Sequence, residues 1–297
     1  MLNSTQIVQT CAKVAALSTN QANLATSDFL TFANLVVDGL ASEILAAREE
    51  FLLFQDSLAV TAGQQGYRIP YRALNGIIRH MWFEDGTTNR WYLYPLAIES
   101  IENYATNEAG TPHGFFVQGN QIMLLPTPNI SGTLQMIYPF RPSNLVDVST
   151  TATITAINGS TVTFANMPTN FASGLQYDII DHLAGNGIVG YDLPAVVSGN
   201  TLIFANLPAN AAVGNYVALA QQSPVPMLPD EADPLLLEMT VLRIEIIRGN
   251  PARIKNSAAL VQDKRKGFDQ LLANRIISKP HPTGGMSPML PQGRRPY

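Results

Sequence analysis

Four residues in the second half of the chain could do chemistry together. Asp178, Asp181, His182 and Asp192 bring three carboxylates and an imidazole close together in sequence. These are the residue types of a general acid–base pair or of a hard-cation site. Their spacing fits neither a zinc signature nor a calcium loop, so the favoured expectation is a solvated acidic rim on a β unit. Gly185-Asn-Gly187-Ile-Val-Gly190 satisfies G-x-G-x-x-G. A dinucleotide site needs that loop to follow a strand and open a helix, with an acid about 20 residues further on. Here Asp192-Leu-Pro194 and Ser198-Gly199 follow, no helix can start, and the stretch is expected to be a loop of the β unit. There is no G-x-S-x-G elbow, P-loop or H-E-x-x-H. Cys11 is the only cysteine, so an internal disulfide is excluded, and His80, His113, His182 and His281 are scattered. Cys11 is expected as a small buried apolar residue on a helix face. No catalytic residue, metal ligand or cofactor is assigned.

The charge distribution says more than the motifs. The net charge is −4, with 46% apolar and only 13% charged residues, against about 25% charged in an average soluble protein. Residues 1–141 carry 7 basic and 11 acidic side chains. Residues 142–242 carry 8 acids and no Lys or Arg, and residues 243–297 carry 11 basic and 3 acidic side chains. Such a split offers different faces to different partners. The composition argues against a largely disordered chain. With no run of about 18 apolar residues a membrane span is not expected, and Met1 to Gln9 do not resemble a secretory signal.

The elements that must position these groups follow from periodicity. Residues 5–17 read as a short amphipathic helix with Ile7, Cys11, Val14 and Ala15 at helical spacing. A longer helix is predicted over about 28–54, with Asp28 capping it and Phe29, Phe32, Val36, Leu40, Ile44, Ala47 and Phe51 on one face. Gly39 within it suggests a close helix–helix contact. Strands are predicted at Leu58–Val60, from Tyr67, and at Ile77–Trp82, Trp91–Tyr94, Gly114–Gln118, Ile122–Leu125 and Thr133–Pro139. They are joined by turn-rich links as an antiparallel block, with one short helix at Pro95–Asn103.

Residues 152–220 contain an internal repeat at an offset of forty. Gly159-Ser-Thr-Val-Thr-Phe-Ala-Asn-Met-Pro-Thr-Asn170 aligns with Gly199-Asn-Thr-Leu-Ile-Phe-Ala-Asn-Leu-Pro-Ala-Asn210, and Gly174 and Gly214 keep the register. A duplicated strand–turn–strand unit implies a small β-barrel or sandwich. A helix then starts at Asp230 or Asp233, with Pro234 in its first turn, and runs to about Arg248. It is so apolar that it is expected to be buried nearly all round, in a bundle or between subunits. Leu235, Met239, Leu242 and Ile246 are the candidate subunit-interface residues. Pro251 opens the next helix, which runs to about Ile277. Ser278 to Tyr297 contain five prolines, three glycines and no acid, an extended arm able to fold onto a neighbour.

The order of these features resembles the head-to-tail adaptor (head-completion, or tubular tail protein A-like) family of short-tailed bacteriophages. The resemblance is carried by the helix with Phe29-Leu-x-Phe-Ala-Asn34 and by the turn Thr61-Ala-Gly-Gln-Gln-Gly-Tyr67 leading into Ile69-Pro70. The hairpin Gly114 to Pro128, the strand Leu134–Tyr138 and Leu228-Pro-Asp-Glu-Ala-Asp233 complete it. It covers about residues 25–145 and 226–277. It implies an α+β chain with three parts. An adaptor core of helical bundle and antiparallel hairpins spans 1–145 and 225–277. An inserted β domain spans 146–224, and a C-terminal arm spans 278–297. It further implies a non-enzymatic virion protein, assembled in the host cytoplasm, that forms a ring of typically twelve copies. The ring would sit between the portal protein and the tail nozzle protein, in reach of fibre or tailspike proteins. DNA would pass non-specifically through it, and no membrane is involved. Lys279, Pro280, Pro288, Pro291, Arg294, Arg295 and Tyr297 would form the portal-binding arm. Two rival readings use the same residues: a cell-wall or carbohydrate-active enzyme working through Asp178 and Asp181, and a DNA-binding packaging factor working through the basic C-terminal block.

Overall fold

Helix α1 (Ser4–Val14) starts where Asn3 and Gln6 cap each other. The Asn3 side chain accepts from the Gln6 amide at 2.8 Å, and the Gln6 side chain accepts from the Asn3 amide at 3.0 Å. This reciprocal pair satisfies two orphan donors of the first turn. A computed structural model describes residues 2–15, 24–48, 52–87, 89–97, 109–181 and 187–273. Helix α2 (Thr26–Ala47) begins two residues before the predicted start, so Asp28 lies inside the first turn. From there its carboxylate accepts from the Ala25 amide at 2.8 Å, favourable at the positive end of the helix dipole.

The helix also ends earlier than expected. Residues 53–60 alternate in exposure and pair as a strand, so Phe54 belongs to a sheet. Gly39 faces solvent, with nothing within 4 Å of where a Cβ would sit, so no close helix contact among the described residues explains it. By length and composition α2 could cross a membrane, a test that a buried core helix also passes. Its inner face is nevertheless spent on protein. Phe29, Val36, Leu40 and Ile44 join Ile7 and Cys11 of α1 in one apolar core.

That core is completed from the far end of the chain. Helix α3 (Asp233–Arg248) contributes Leu235, Leu236, Val241 and Ile244, and helix α4 (Pro251–Ala273) contributes Val261 and Phe268. Each such side chain stabilises the fold by roughly 1.5–3 kcal/mol when fully buried. Gly249 closes α3 in the left-handed conformation, φ 69°, which a residue with a Cβ adopts only with strain.

Between α2 and α3 the chain is built from strands. β1 (Leu53–Val60), β2 (Gly66–Arg68), β3 (His80–Glu84), β4 (Arg90–Tyr92) and β5 (Tyr94–Pro95) come first. β6 (Ala109–Gly110), β7 (Gly114–Gln118), β8 (Gln121–Leu125), β9 (Thr127–Pro128) and β10 (Gly132–Pro139) follow. They make two four-stranded sheets, ordered β1-β10-β3-β4 and β2-β8-β7-β5. Pairing is antiparallel as expected, except for the short parallel pairs β5–β7 and β6–β9. Tyr94 is strand as predicted, Pro95 is strand where a helix was predicted to begin, and residues 98–103 of that predicted helix lie outside the described residues.

β11 (Asn144–Leu145) leads into the duplicated unit. β12 (Ala152–Asn158), β13 (Thr161–Phe164), β14 (Gln176–Ile180), β15 (Ile188–Ser198), β16 (Thr201–Phe204) and β17 (Tyr216–Leu219) form a closed barrel. β18 (Gln222–Ser223) then returns beside β11. Closure removes every free strand edge. The register exposes the duplication. β13 and β16 pair with Val162 opposite Leu202, and β14 and β17 pair with Asp178 opposite Ala218. Both central pairs are separated by the forty-residue offset, so an approximate two-fold axis runs through them and relates the two repeats.

Candidate functional site

Two of the four residues singled out for chemistry, Asp178 and Asp192, meet at the joint between barrel and sheets. Asp178 sits in the middle of β14, and its side chain is fully buried. The expectation of a solvated rim is therefore wrong for this residue. The reason lies in Arg72, which follows β2 and is itself buried. Its Nη2 lies 2.9 and 2.7 Å from the two Asp178 oxygens and 2.8 Å from Asp192 Oδ1, while Nη1 donates to Ser143 Oγ at 3.1 Å. Backbone donors complete the carboxylate's shell: the amides of Asp192 and Gln221, each at 2.9 Å. Both residues adopt positive φ, 51° and 68°, so the chain bends at two places to aim an N–H at Asp178. The guanidinium also lies over the rings of Phe140 (5.2 Å) and Tyr71 (5.3 Å), favourable cation–π contacts.

Burial pushes the Asp178 carboxyl up, and Arg72 with the Asp192 amide pulls the other way. Burial would likewise lower the Arg72 guanidinium, but Asp192 and Asp178 hold it above its ordinary value. The arrangement is a charge-satisfied clamp whose carboxylates already have partners, the requirement for buried ions. Residues 142–242 hold no cation, so any buried acid there must borrow one from elsewhere. That was the available signal for Arg72, and the spacing of the acids alone does not reveal it. Only one repeat carries the clamp: the residues forty positions from Asp178 and Asp192 are Ala218 and Ala152.

An aromatic seam continues the joint. Tyr191 of β15 packs edge-on against Phe54 (4.5 Å) and Phe140 (5.9 Å), and Tyr138 donates to Asp56 Oδ2 at 3.1 Å. Burial, then the Asp56 charge, pushes both phenols above the usual tyrosine range. A cleft of about 330 Å³ opens beside the seam, lined by Asp56, Arg68, Tyr71, Tyr191 and Asp192 among others.

Asp181 is half-buried, His182, Gly185 and Asn186 lie outside the described residues, and Ile188 opens β15 directly, with no helix after the glycine motif. Among the described residues no group of His, Cys, Asp and Glu is arranged to hold a metal. Cys11 is buried as expected, and burial pushes its thiol up to about 12.

On α3 the expected stripe divides. Leu235 is 1% exposed and belongs to the chain's own core, Met239 and Leu242 are half-buried against it, and Ile246 is 54% and Ile247 60% exposed. Within one chain residues 235–242 of α3 are all buried or half-buried, and exposure is confined to Pro234, Arg243 and the last turn from Ile246 to Arg248. Lys279, Pro280, Pro288, Pro291, Arg294, Arg295 and Tyr297 lie outside the described residues.

The family model described as SU10 adaptor protein matches residues 5–184, well over half of the chain. No curated protein matches.

Proposed function

The chain belongs to the SU10 adaptor protein family, a bacteriophage head-to-tail adaptor family, and on that premise we propose that it forms a ring joining the capsid portal to the tail nozzle. It is a phage structural protein and a component of the virion. In the proposed reading twelve or a similar number of copies close the ring. They extend the channel through which DNA passes, and they act without catalysis. The four helices and two sheets (1–145 and 225–277) are the adaptor core, residues 146–224 are an inserted β domain, and residues 278–297 are the portal arm.

The observation that carries the ring is the exposed apolar end of α3. Ile246 and Ile247 stand in solvent on a helix that otherwise supplies core. Heterologous contacts between identical subunits close into a ring when the rotation allows. The portal contact is supported by the arm's chemistry. Lys279, Arg294 and Arg295 with no acid among residues 278–297 suit an acidic partner surface. The barrel, fixed to the sheets on one side by the Arg72 clamp, presents its other strands outward, where nozzle, fibre or tailspike proteins would meet it.

Deleting residues 279–297 tests the portal contact. The expected result is a folded protein that no longer joins heads to tails. Particles of normal number and infectivity from that deletion would overturn it.

A further inference from the structure

A ring closed by heterologous contacts needs two different surfaces on every subunit, because such a contact joins unlike patches. The exposed end of α3 supplies one. Arg243, Ile246 and Ile247 are all exposed and stand at i, i+3 and i+4, which puts them on one face of the helix. A second exposed face lies on α2. Thr31, Leu35, Asp38, Ser42 and Ala46 are exposed and step by three or four, on the side opposite the buried Val36, Val37, Leu40 and Ile44. Leu35 at its centre is 50% exposed. The hydroxyls of Thr31 and Ser42 donate to the Ser27 and Asp38 carbonyls at 2.8 and 3.0 Å, so they spend their donors on their own helix rather than on water.

Charge and spacing match the two faces to each other. α2 holds Asp28, Asp38 and Glu43 and no Lys or Arg. Among the described residues Glu43 alone of these has an ion-pair partner, Arg265 at 2.7 Å. Residues 243–255 hold Arg243, Arg248, Arg253 and Lys255 against one acid, Glu245, which is buried and already bound by Arg248 and Arg253. An acidic face and a basic one attract and set each other's register. The order of groups is also complementary. Along α2, Leu35 comes three residues before Asp38; along α3, Arg243 comes three residues before Ile246. Two helices set antiparallel therefore bring Leu35 to Ile246 and Asp38 to Arg243 at once, the two contacts lying about 4.5 Å apart along the axis. Gly39 stands beside Asp38 with nothing within 4 Å of where a Cβ would sit. Glycine weakens a helix interior, and a bare position is what the close approach of another backbone requires.

We propose that the outward face of α2, from Thr31 to Ala46, is the docking site for the C-terminal end of α3 of a second copy of this chain. The helices cross antiparallel, Ile246 and Ile247 of one copy cover Leu35 of the other, and Arg243 pairs with Asp38. The patch complementary to α2 is one that the chain itself exposes, so the occupant is another copy. Each subunit then gives α3 to one neighbour and α2 to the other. The inference deepens the ring reading and rests on it.

The test is cysteine cross-linking in assembled virions of the full-length chain, Cys11 being buried. Some copies carry Leu35→Cys and others Ile246→Cys, and a short bis-maleimide joins thiols that lie together. The expected result is covalent dimers in particles holding both kinds of copy and none where every copy carries the same change. With both changes in one chain, a ladder should run up to the complete ring. Dimers from a single variant, a link confined to one chain, or no link would overturn the contact. A charge exchange gives a second readout without cysteine. Asp38→Arg or Arg243→Asp alone should cut the number of particles carrying a ring at least tenfold, and the two together should restore it. Failure of the pair to restore rings would overturn the match of Asp38 with Arg243. A ring seen by imaging without the cross-link would sink this contact and keep the ring reading. A single copy per particle would sink the ring reading and the contact with it.

Discussion

Replacing Arg72 with methionine should loosen the barrel from the sheets more than any other single surface-neutral change. Met keeps most of the side-chain volume and removes the charge. Asp178, fully buried, then loses its cation together with two contacts of 2.9 and 2.7 Å, and Asp192 loses its contact of 2.8 Å. Removing one partner of a buried pair costs about 3–5 kcal/mol, a large share of the roughly 5–15 kcal/mol that holds a typical domain. Ser143 and the amides of Asp192 and Gln221 still serve Asp178, which places the expectation near the lower end. Asp178→Asn leaves Arg72 paired with Asp192 and should cost roughly 1–3 kcal/mol. Because the two side chains act on each other, the double mutant should cost less than the sum by at least about 1 kcal/mol. Urea unfolding of the four proteins gives these numbers. Trp82 and Trp91, the only tryptophans, lie on β3 and β4, so fluorescence follows the sheets while amide exchange follows the barrel strands. Barrel exchange should rise first in Arg72→Met. A cost below about 1 kcal/mol, or strict additivity in the double mutant, would refute the clamp.

Three further outcomes follow from other parts of the molecule. Ile246→Lys, at a 54% exposed position, should leave monomer stability within about 0.5 kcal/mol yet prevent ring formation, read by native mass measurement. Burial raises the Asp233 carboxyl to about 6. With the folded value above the unfolded one, its contribution is fully present below about pH 4 and is lost as pH rises through 6. Melting curves from pH 4 to 7 should therefore show about 1 kcal/mol of stability, after allowance for solvent access, that Asp233→Asn makes independent of pH. Gly132→Ala on β10 drives a methyl into the Glu84 carbonyl and within 2.7 Å of the Phe83 ring. It should cost at least about 2 kcal/mol in the same denaturation assay.

Much of this architecture was legible in the chain because its signals are local. Pro234 in the first turn of α3, Gly249 after its last, and the forty-residue repeat each fix a neighbourhood without reference to the rest. What was not legible depends on distant partners. The extent of α2 was overestimated because Phe51 and Phe54 continue its spacing by eye, while pairing with β10 claims residues 53–60 for a sheet. Asp178 was expected in water because nothing near it in sequence is cationic; Arg72, the residue that buries it, lies 106 positions away. Ile246 shows the opposite case. Its apolar character suggested burial all round, and the fold leaves it open, as a residue reserved for another molecule would be.

The central claim is that copies of this chain close a ring at the junction of head and tail. Imaging of intact virions, with symmetry determined at that junction rather than imposed, tests it most directly. The account predicts a closed ring of identical subunits between portal and nozzle, with the Ile246–Ile247 end of α3 covered by the adjacent subunit. A single copy, or a ring in which that end of α3 faces solvent, would contradict it.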